Sequence, residues 1–117
     1  MPAKRIHHIN FVVRDLEEAI PRFEETLQLA PFEVVDHVPR RAHVARSKLG
    51  DSWLVLVAPY DMNSVPGRHL EEHGEGFFLL SLAVDDEHKW REGILDWKVC
   101  DRGELYGARF QVTRDSN

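Results

Sequence analysis

One histidine in a strand-like stretch is the first candidate for chemistry in this sequence. His8 lies in HHINFVVRDLEEA (residues 7–19), near the start of an apolar run, and an imidazole there can ligate a divalent metal. A similar pattern returns 71 residues later in LLSLAVDDEHKW, where Leu79 takes the place of the histidine. A metal site needs three or four ligands, so the chemistry depends on which donors share a face with His8.

The elements that position His8 are predicted from the hydrophobic pattern. Residues 6–13 nearly alternate, which predicts a strand with Phe11 and Val13 on one face and His8 and Asn10 on the other. A helix follows directly, with Asp15 as its N-cap and Glu18 three residues further on. Its apolar stripe consists of Leu16, Ala19, Ile20, Phe23 and Leu27. Pro21 removes a backbone donor inside this helix and is expected to kink or loosen it.

Three further strands and a short helix complete the first half of the chain. The strand-like runs are FEVVDHV (32–38), AHVARSKL (42–49) and WLVLVAP (53–59), joined by short turns. Ser64 is placed to cap a short helix over VPGRHLEEH (65–73), which Gly74 is placed to end. The first half therefore predicts a βαβββ unit followed by a connector.

The second half repeats this order in a compressed form. FFLLSLAV (77–84) predicts a strand, a helix holding Trp90 and Ile94 follows, and WKVC (97–100) and YGARFQVT (106–113) predict further strands. Superposing the two starts matches His8 with Leu79 and Asn10 with Ser81. Too little chain is left for three full strands, so one is expected to be shortened or missing. We predict a single α+β domain of two βαβββ-type modules, residues about 5–60 and 75–114, the second abbreviated.

Composition excludes several classes of partner. The chain has 117 residues, 43% of them hydrophobic, which is enough for one core. A net charge of −5 without a basic run argues against nucleic acid. No apolar stretch approaches the roughly 20 residues of a membrane helix, and the N-terminus lacks a signal-peptide core, so a cytoplasmic location is expected. The single cysteine, Cys100, cannot form an internal disulfide.

Two stretches resemble a known family. HINFVVRDLEEA, followed by three strands and a second strand–helix start, resembles the vicinal oxygen chelate superfamily of glyoxalases, bleomycin-resistance proteins, extradiol dioxygenases and methylmalonyl-CoA epimerases. LVAPYDMNSVPGRHLEEHGEGFFLLSLAVDD is most similar to the epimerase branch. In that superfamily a metal polarises a carbonyl or vicinal oxygens so that a carboxylate can remove an α-proton.

The resemblance implies four metal-ligand positions on the concave face of a curved sheet. By motif match they are His8, Val55, Leu79 and Gln111. Strand alternation agrees, because each residue is opposite in phase to the neighbouring apolar run. The family typically has His, Glu or Gln, His, and Glu or Gln, whereas here only His8 and Gln111 can coordinate. We therefore expect a degenerate site with no specific metal and no other cofactor, and keep an unusual divalent-ion site as the alternative.

The same face is the predicted ligand site. It is mostly apolar with a few placed polar groups, as small-molecule pockets are. Its predicted lining residues are His8, Asn10, Trp53, Val55, Phe77, Leu79, Ser81, Arg109 and Gln111. Arg109 is suited to a carboxylate or phosphate. A face covered by a partner subunit would have the same composition, and no catalytic residue is assigned.

The remaining polar residues are interpreted as surface. The other histidines show no metal-binding spacing, and Glu71 and Glu72 fall on an exposed helix face. We expect a glyoxalase-like or epimerase-like protein that binds a small organic ligand without metal. The alternatives are a metal-dependent isomerase or lyase of the same superfamily, and sequestration of a drug or toxin. A homodimer is expected, because an abbreviated module leaves a sheet edge to cover.

Overall fold

The computed structural model describes residues 3–37, 41–85 and 106–115, which form an α+β fold. The described elements, in chain order, are β1 (Arg5–Val12), α1 (Leu16–Leu27), β2 (Glu33–His37), β3 (Ala42–Leu49), β4 (Ser52–Pro59), α2 (Val65–His73), β5 (Gly76–Val84) and β6 (Phe110–Arg114). Each corresponds to a segment that the sequence predicts, so the fold class is confirmed. The expected helix around Trp90 and the strand WKVC lie outside the described residues. Neither described helix is long and apolar enough to cross a membrane.

The strands form a mixed sheet in the order β2-β3-β4-β1-β5-β6. Strands β2, β3 and β4 pair antiparallel, whereas β5 and β6 pair parallel, with Ser81 opposite Gln111. The first module has all four of its strands, and the described part of the second has β5 and β6. This agrees with the expected abbreviation of the second module.

The chain divides into two compact units. The central unit is Asn10–Phe78, and the terminal unit is Met1–Ile9 together with Leu79–Asn117. Both β1 and β5 begin in one unit and end in the other. The modules expected at about 5–60 and 75–114 have different boundaries and remain an interpretation of the sequence repeat.

Helix α1 begins where the sequence predicts and packs on one face of the central unit. The side chain of Asp15 caps it by accepting a hydrogen bond from the backbone N–H of Glu17 at 2.9 Å. Glu18 does not complete a capping box and instead pairs with Arg22 at 3.3 Å. The helix continues through Pro21. The core that holds it in place consists of Val13, Leu16, Ala19, Ala45, Leu54, Leu56 and Ala58, with Phe11, Ile20, Phe23, Leu29 and Phe32 at its margin.

The β3–β4 hairpin gives the central unit two different faces. Its turn passes through Gly50, whose φ of 63° suits glycine. Leu54 and Leu56 point toward α1, while Val55 and Val57 point away from it and form a second cluster. All six residues from Leu54 to Pro59 are buried, so β4 is covered on both faces along most of its length.

The strand alternation and helical spacing predict seven buried apolar residues, namely Phe11, Phe23, Leu54, Leu56, Leu80, Leu82 and Phe110, and this prediction is confirmed in part. Leu54 and Leu56 are buried. Five other residues expected in the core are only partly buried, and two of them, Phe11 and Phe23, lie at the margin of the α1 core. These five are Phe11, Phe23, Leu80, Leu82 and Phe110.

A hydrogen-bonded turn starts α2. The carboxylate of Asp61 accepts the backbone N–H of Asn63 at 2.8 Å and pairs with Arg41 at 2.6 Å. The hydroxyl of Ser64 donates to the backbone oxygen of Asp61 at 2.6 Å and accepts the N–H of Gly67 at 3.1 Å. This confirms Ser64 as the N-cap, and Gly74 ends the helix with a φ of 78°.

We expect Gly67→Ala to destabilise the protein. A Cβ at this position would lie 2.7 Å from the Cα of Met62 and closer still to the backbone oxygen of Asp61, and neither atom can move independently of the turn. The expected loss in the free energy of unfolding is about 1–3 kcal/mol, measured by urea denaturation. Arg68→Ala, at the exposed neighbouring position, is the control and should change stability by about 0.5 kcal/mol or less. Equal stability of the two variants would contradict this account of the turn.

We also expect the turn to contribute stability that depends on pH. The backbone N–H of Asn63, and next the guanidinium of Arg41, lower the pKa of Asp61 below its ordinary value of 3.8. The stabilisation is therefore complete above pH 3.8 and is lost as the pH falls through the lower pKa of the folded state. The destabilisation caused by Asp61→Asn should be largest near neutral pH and should shrink below pH 4. A loss that stayed constant from pH 7 to pH 3 in urea titrations would refute this role of the carboxylate.

Candidate ligand-binding site

The candidate site lies on the side of the central unit that faces away from α1, which we call the Val55 face. Val55 and Val57 pack there with Ala42, and Val44 and Trp53 lie against them. Strand alternation adds Arg46 and Lys48 of β3, and Asn10 and Val12 of β1, because Phe11 and Val13 point into the α1 core. The face therefore combines aliphatic side chains with one indole, one amide and two cations.

Two cationic side chains share the ring of Trp53. The Cζ atom of Arg46 lies 4.1 Å from the ring centroid, and the Nζ atom of Lys48 lies 4.6 Å from it. The antiparallel register explains this, since Lys48 is directly opposite Trp53 and Arg46 is opposite Val55. A carboxylate oxygen of Glu33 lies 3.5 Å from Arg46. Among the described residues, no ion pair engages Lys48.

Three buried polar atoms on this face have no hydrogen-bond partner among the described residues. They are Oδ1 of Asn10, Nε of Arg46 and Nε1 of Trp53. Asn10 is only 3% exposed, so its side chain is shielded from bulk solvent. A buried polar group without a partner costs about 1–3 kcal/mol, and native proteins usually supply one from the chain, from water or from a ligand. These atoms mark the Val55 face as a place where polar partners are missing.

Two other site residues predicted in the central unit are Val55, which lies on the Val55 face, and Phe77, which does not. Val55 lies on the named face but is almost completely buried. Phe77, predicted on the same face, contacts the ring of Phe11 at a centroid distance of 6.1 Å. Phe11 packs at the margin of the α1 core, so Phe77 lies on the α1 side. The alternation pattern alone misplaced it, because β5 starts at Gly76 with a φ of 144° and two successive residues, Phe78 and Leu79, are both buried.

In the terminal unit, His8 contacts its neighbour in the chain. The Nδ1 atoms of His7 and His8 lie 2.8 Å apart, with ring planes at 80°. Successive side chains of a strand start on opposite faces, but Nδ1 is three bonds from Cα, so the two rings can turn toward each other around the strand. One Nδ1 must donate and the other accept, so His8 uses this nitrogen within the chain.

Three of the other four predicted residues of the terminal unit are buried, and the fourth, Arg109, is half-buried. Leu79 and Ser81 have no exposed surface, and Gln111 is nearly buried. The Ser81 hydroxyl lies 2.6 Å from the Thr113 hydroxyl, so its polar group is satisfied. Leu79 and Ser81 therefore support the strand rather than present a surface to a ligand. Arg109 is half-buried, and its backbone oxygen accepts the N–H of Leu80 at 3.3 Å.

The donor set does not fit the metal that the resemblance implies. Val55 and Leu79 have no ligating atoms, Gln111 offers only a neutral amide, and the Nδ1 atom of His8 is engaged by His7. Within residues 3–37, 41–85 and 106–115, no group of three or more His, Cys, Asp or Glu side chains is arranged to hold a metal ion.

Two pockets flank α1 on the opposite side of the central unit. One, of about 350 Å³, is lined by Phe11, Phe23 and Glu75 among others, and a second, of about 430 Å³, extends past Ile20 to His43. Two carboxylates around the first have partners, since Glu75 accepts the backbone N–H of Arg14 at 2.9 Å and Glu18 pairs with Arg22 at 3.3 Å. None of the unpartnered buried atoms of the described chain lies in either pocket, so the Val55 face is the stronger candidate.

Sequence reasoning missed Arg46 and Lys48 as members of the site. The sequence AHVARSKL does indicate that they share a face, because Val44, Arg46 and Lys48 alternate with residues that face α1. Two cationic side chains in a strand, however, usually face solvent. Only the pairing register with β4 shows that both reach one indole ring.

Comparison with known proteins places this geometry in a family. The family model of the Glyoxalase/Bleomycin resistance protein/Dioxygenase superfamily matches residues 7–100. No protein among the curated sequences matches this chain at a significant level.

Several solved structures share the fold. A methylmalonyl-CoA epimerase variant of Streptomyces coelicolor, in complex with 2-nitronate-propionyl-CoA, has a TM-score of 0.80 at 18% identity, covering 98% of this chain and 97% of that one. The epimerase of Mycobacterium tuberculosis has a TM-score of 0.79 at 17% identity, covering 98% and 90%. A hypothetical protein of Bacillus halodurans has a TM-score of 0.79 at 15% identity, covering 97% and 95%.

The family model covers most of the chain, and the solved epimerases share the fold of this protein. This protein belongs to the glyoxalase/bleomycin resistance protein/dioxygenase superfamily.

Proposed function

We propose that this protein binds a small organic ligand on the Val55 face and that binding requires no metal ion. The observation that carries the proposal is the group of three buried polar atoms, in Asn10, Arg46 and Trp53, that lack partners among the described residues. They lie beside an apolar patch, and a mostly apolar surface with a few convergent polar groups is typical of ligand sites. A ligand that supplied their partners would remove an unfavourable term from the folded state.

Two side chains keep exposed apolar surface on this face. Trp53 and Val44 are half-buried, whereas Val55 and Val57 are almost fully covered. In the strand register the Arg46–Val55 pair lies between the Lys48–Trp53 pair and the Val44–Val57 pair, so a ligand that covered both the indole and Val44 would pass over it. Covering apolar surface stabilises a complex by about 25 cal/mol per Å², and the indole offers the largest such surface on this face.

The residue types support binding more than metal-assisted catalysis. Two of the four positions that hold metal in the family carry hydrocarbon side chains here, Val55 and Leu79. A glyoxalase-like or epimerase-like protein with this degenerate donor set lacks the means to polarise a carbonyl oxygen through the metal. A metal-dependent isomerase or lyase would need ligands from water or a partner chain, and sequestration of a drug or toxin would be a special case of the proposed binding.

The solved structures suggest which ligands to test. The S. coelicolor epimerase variant holds a propionyl-CoA derivative, and a further epimerase structure holds methylmalonyl-CoA. Acyl-CoA esters therefore belong in a screen together with neutral aromatic and aliphatic compounds. Because these epimerases are only 18% identical to this chain, the similarity shows a shared fold and not a shared ligand. The ligand class must therefore be determined by experiment.

A thermal-shift screen of small molecules, run with and without EDTA, tests the proposal. We expect hits whose stabilisation is unchanged by EDTA, since saturating ligand raises stability according to its concentration relative to its Kd. Trp53→Ala and Val44→Lys should each weaken these hits about tenfold or more, because they remove or charge the accessible apolar surface.

The matched control is Phe23→Leu, which alters the pocket beside α1 and should leave the hits unchanged. Hits that disappear with EDTA, or that respond to Phe23→Leu and not to the Val55-face variants, would refute the proposal.

We further expect His8→Ala to leave metal content unchanged and to lower stability by only about 1 kcal/mol, the value of the hydrogen bond to His7. Elemental analysis of protein purified without chelator provides the measurement. Stoichiometric zinc, cobalt or nickel in the wild type that is lost in the variant would instead favour the isomerase or lyase alternative.

A further inference from the structure

We propose that Arg46, Lys48 and Trp53 form an anion subsite that binds the carboxylate or phosphate group of the ligand. This inference rests on the proposed function, because it assigns a chemical class to the ligand of the Val55 face. It involves only residues of the central unit, and two of the three fall outside the set expected from the sequence.

Charge is the first argument. Arg46 and Lys48 both lie within 5 Å of the centroid of one indole ring, which keeps two like charges close together. The π-face of the ring attracts each cation but does not neutralise either one. Among the described residues only Glu33 offsets them, through Arg46 at 3.5 Å. The cluster therefore carries a net charge of +1 in a chain whose formal charge is −5.

Unused hydrogen-bond donors are the second argument. The Nε–H of Arg46 and the Nε1–H of Trp53 are both buried without an acceptor among the described residues. A carboxylate or phosphate offers at least two acceptor oxygens, and an arginine fork is suited to bind such a group through two hydrogen bonds. An anion arriving at this ring would accept from these donors after a small rotation of the guanidinium. It would also reduce the repulsion between the two cations.

The arrangement also favours an anion attached to an apolar body over a simple inorganic ion. Trp53 packs against the aliphatic cluster of Ala42, Val55 and Val57, so the ring connects a charged end with an apolar surface. Exposed ion pairs alone contribute little, about 0–1 kcal/mol, so small ions should bind weakly. A molecule that uses both ends of the site should bind more tightly.

Fluorescence titration tests the subsite. The chain has three tryptophans, and the Trp53→Phe variant identifies the signal of Trp53. The probes are coenzyme A, which carries phosphates, pantetheine, which is its neutral portion, and malonate, a dicarboxylate. We expect coenzyme A or malonate to change the Trp53 signal and pantetheine to bind at least about tenfold more weakly than coenzyme A. A response to coenzyme A indicates a phosphate subsite, and a response to malonate indicates a carboxylate subsite.

Variants assign the binding to these side chains. Arg46→Gln and Lys48→Gln should each weaken the responding anion about tenfold or more, and added salt should weaken wild-type binding. Arg68→Gln, an exposed position on α2, changes the net charge equally and is the matched control. Circular dichroism and urea unfolding show whether each variant is folded.

The outcomes separate this inference from the proposed function. If no anion binds, or if Arg68→Gln weakens binding as much as Arg46→Gln, the anion subsite is wrong. Neutral hits that still depend on Trp53 and Val44 would then leave the proposed function standing. If neutral and anionic compounds alike bind without regard to Trp53 and Val44, the proposed function fails as well.

Discussion

Strand β4 is buried on both faces, and the arrangement of the central unit depends on this. Its even-numbered residues Leu54 and Leu56 pack under α1, and its odd-numbered residues Val55 and Val57 pack on the opposite side. The sequence of a strand that is covered on both sides is a nearly continuous run of apolar residues, and WLVLVAP (53–59) is such a run. A polar metal ligand at position 55 would have to be buried here with its partners. Valine is the residue that packing alone would select at such a position.

Double-sided burial also determines which part of the Val55 face keeps exposed surface. The buried run starts at Leu54, so Trp53 is the last residue of β4 that keeps exposed surface on the Val55 face. The antiparallel register places Lys48 opposite Trp53, and Arg46 one pair further in. The accessible chemistry of this face is therefore cationic and aromatic. The residues at the metal positions of the family lie deeper or in the terminal unit.

The sequence predicted the elements well because their signals are local. The caps at Asp15 and Ser64 and the helix-ending Gly74 act within a few residues, and all three are confirmed. The helical spacing was less accurate, because it also placed Leu27 in the apolar stripe of α1, where 53% of its surface is exposed. Even Pro21 is tolerated within α1, since the packing of the helix stripe on the sheet outweighs the loss of one backbone donor. The site was harder to predict because it depends on pairing between strands. The alternation that placed Trp53 and Val55 correctly says nothing about how deeply Leu79 is buried, and it placed Phe77 on the wrong side because it assumes a regular strand.

Arg46 and Trp53 are not the residue types that would stabilise this part of the sheet most, because each has a buried donor without a partner among the described residues. Replacing the two cations by aliphatic residues would remove the unpartnered buried Nε–H of Arg46 and the repulsion between like charges, and Trp53 would keep its apolar contacts. The α1 side of the same unit follows the stable solution, with Leu54 and Leu56 in a closely packed apolar core. The α1 side of the central unit is thus a closely packed apolar core. The Val55 face has polar groups without hydrogen-bond partners among the described residues and a net positive charge. Local departures from the stable solution are expected where a protein binds something, and in the central unit they concentrate around a single ring.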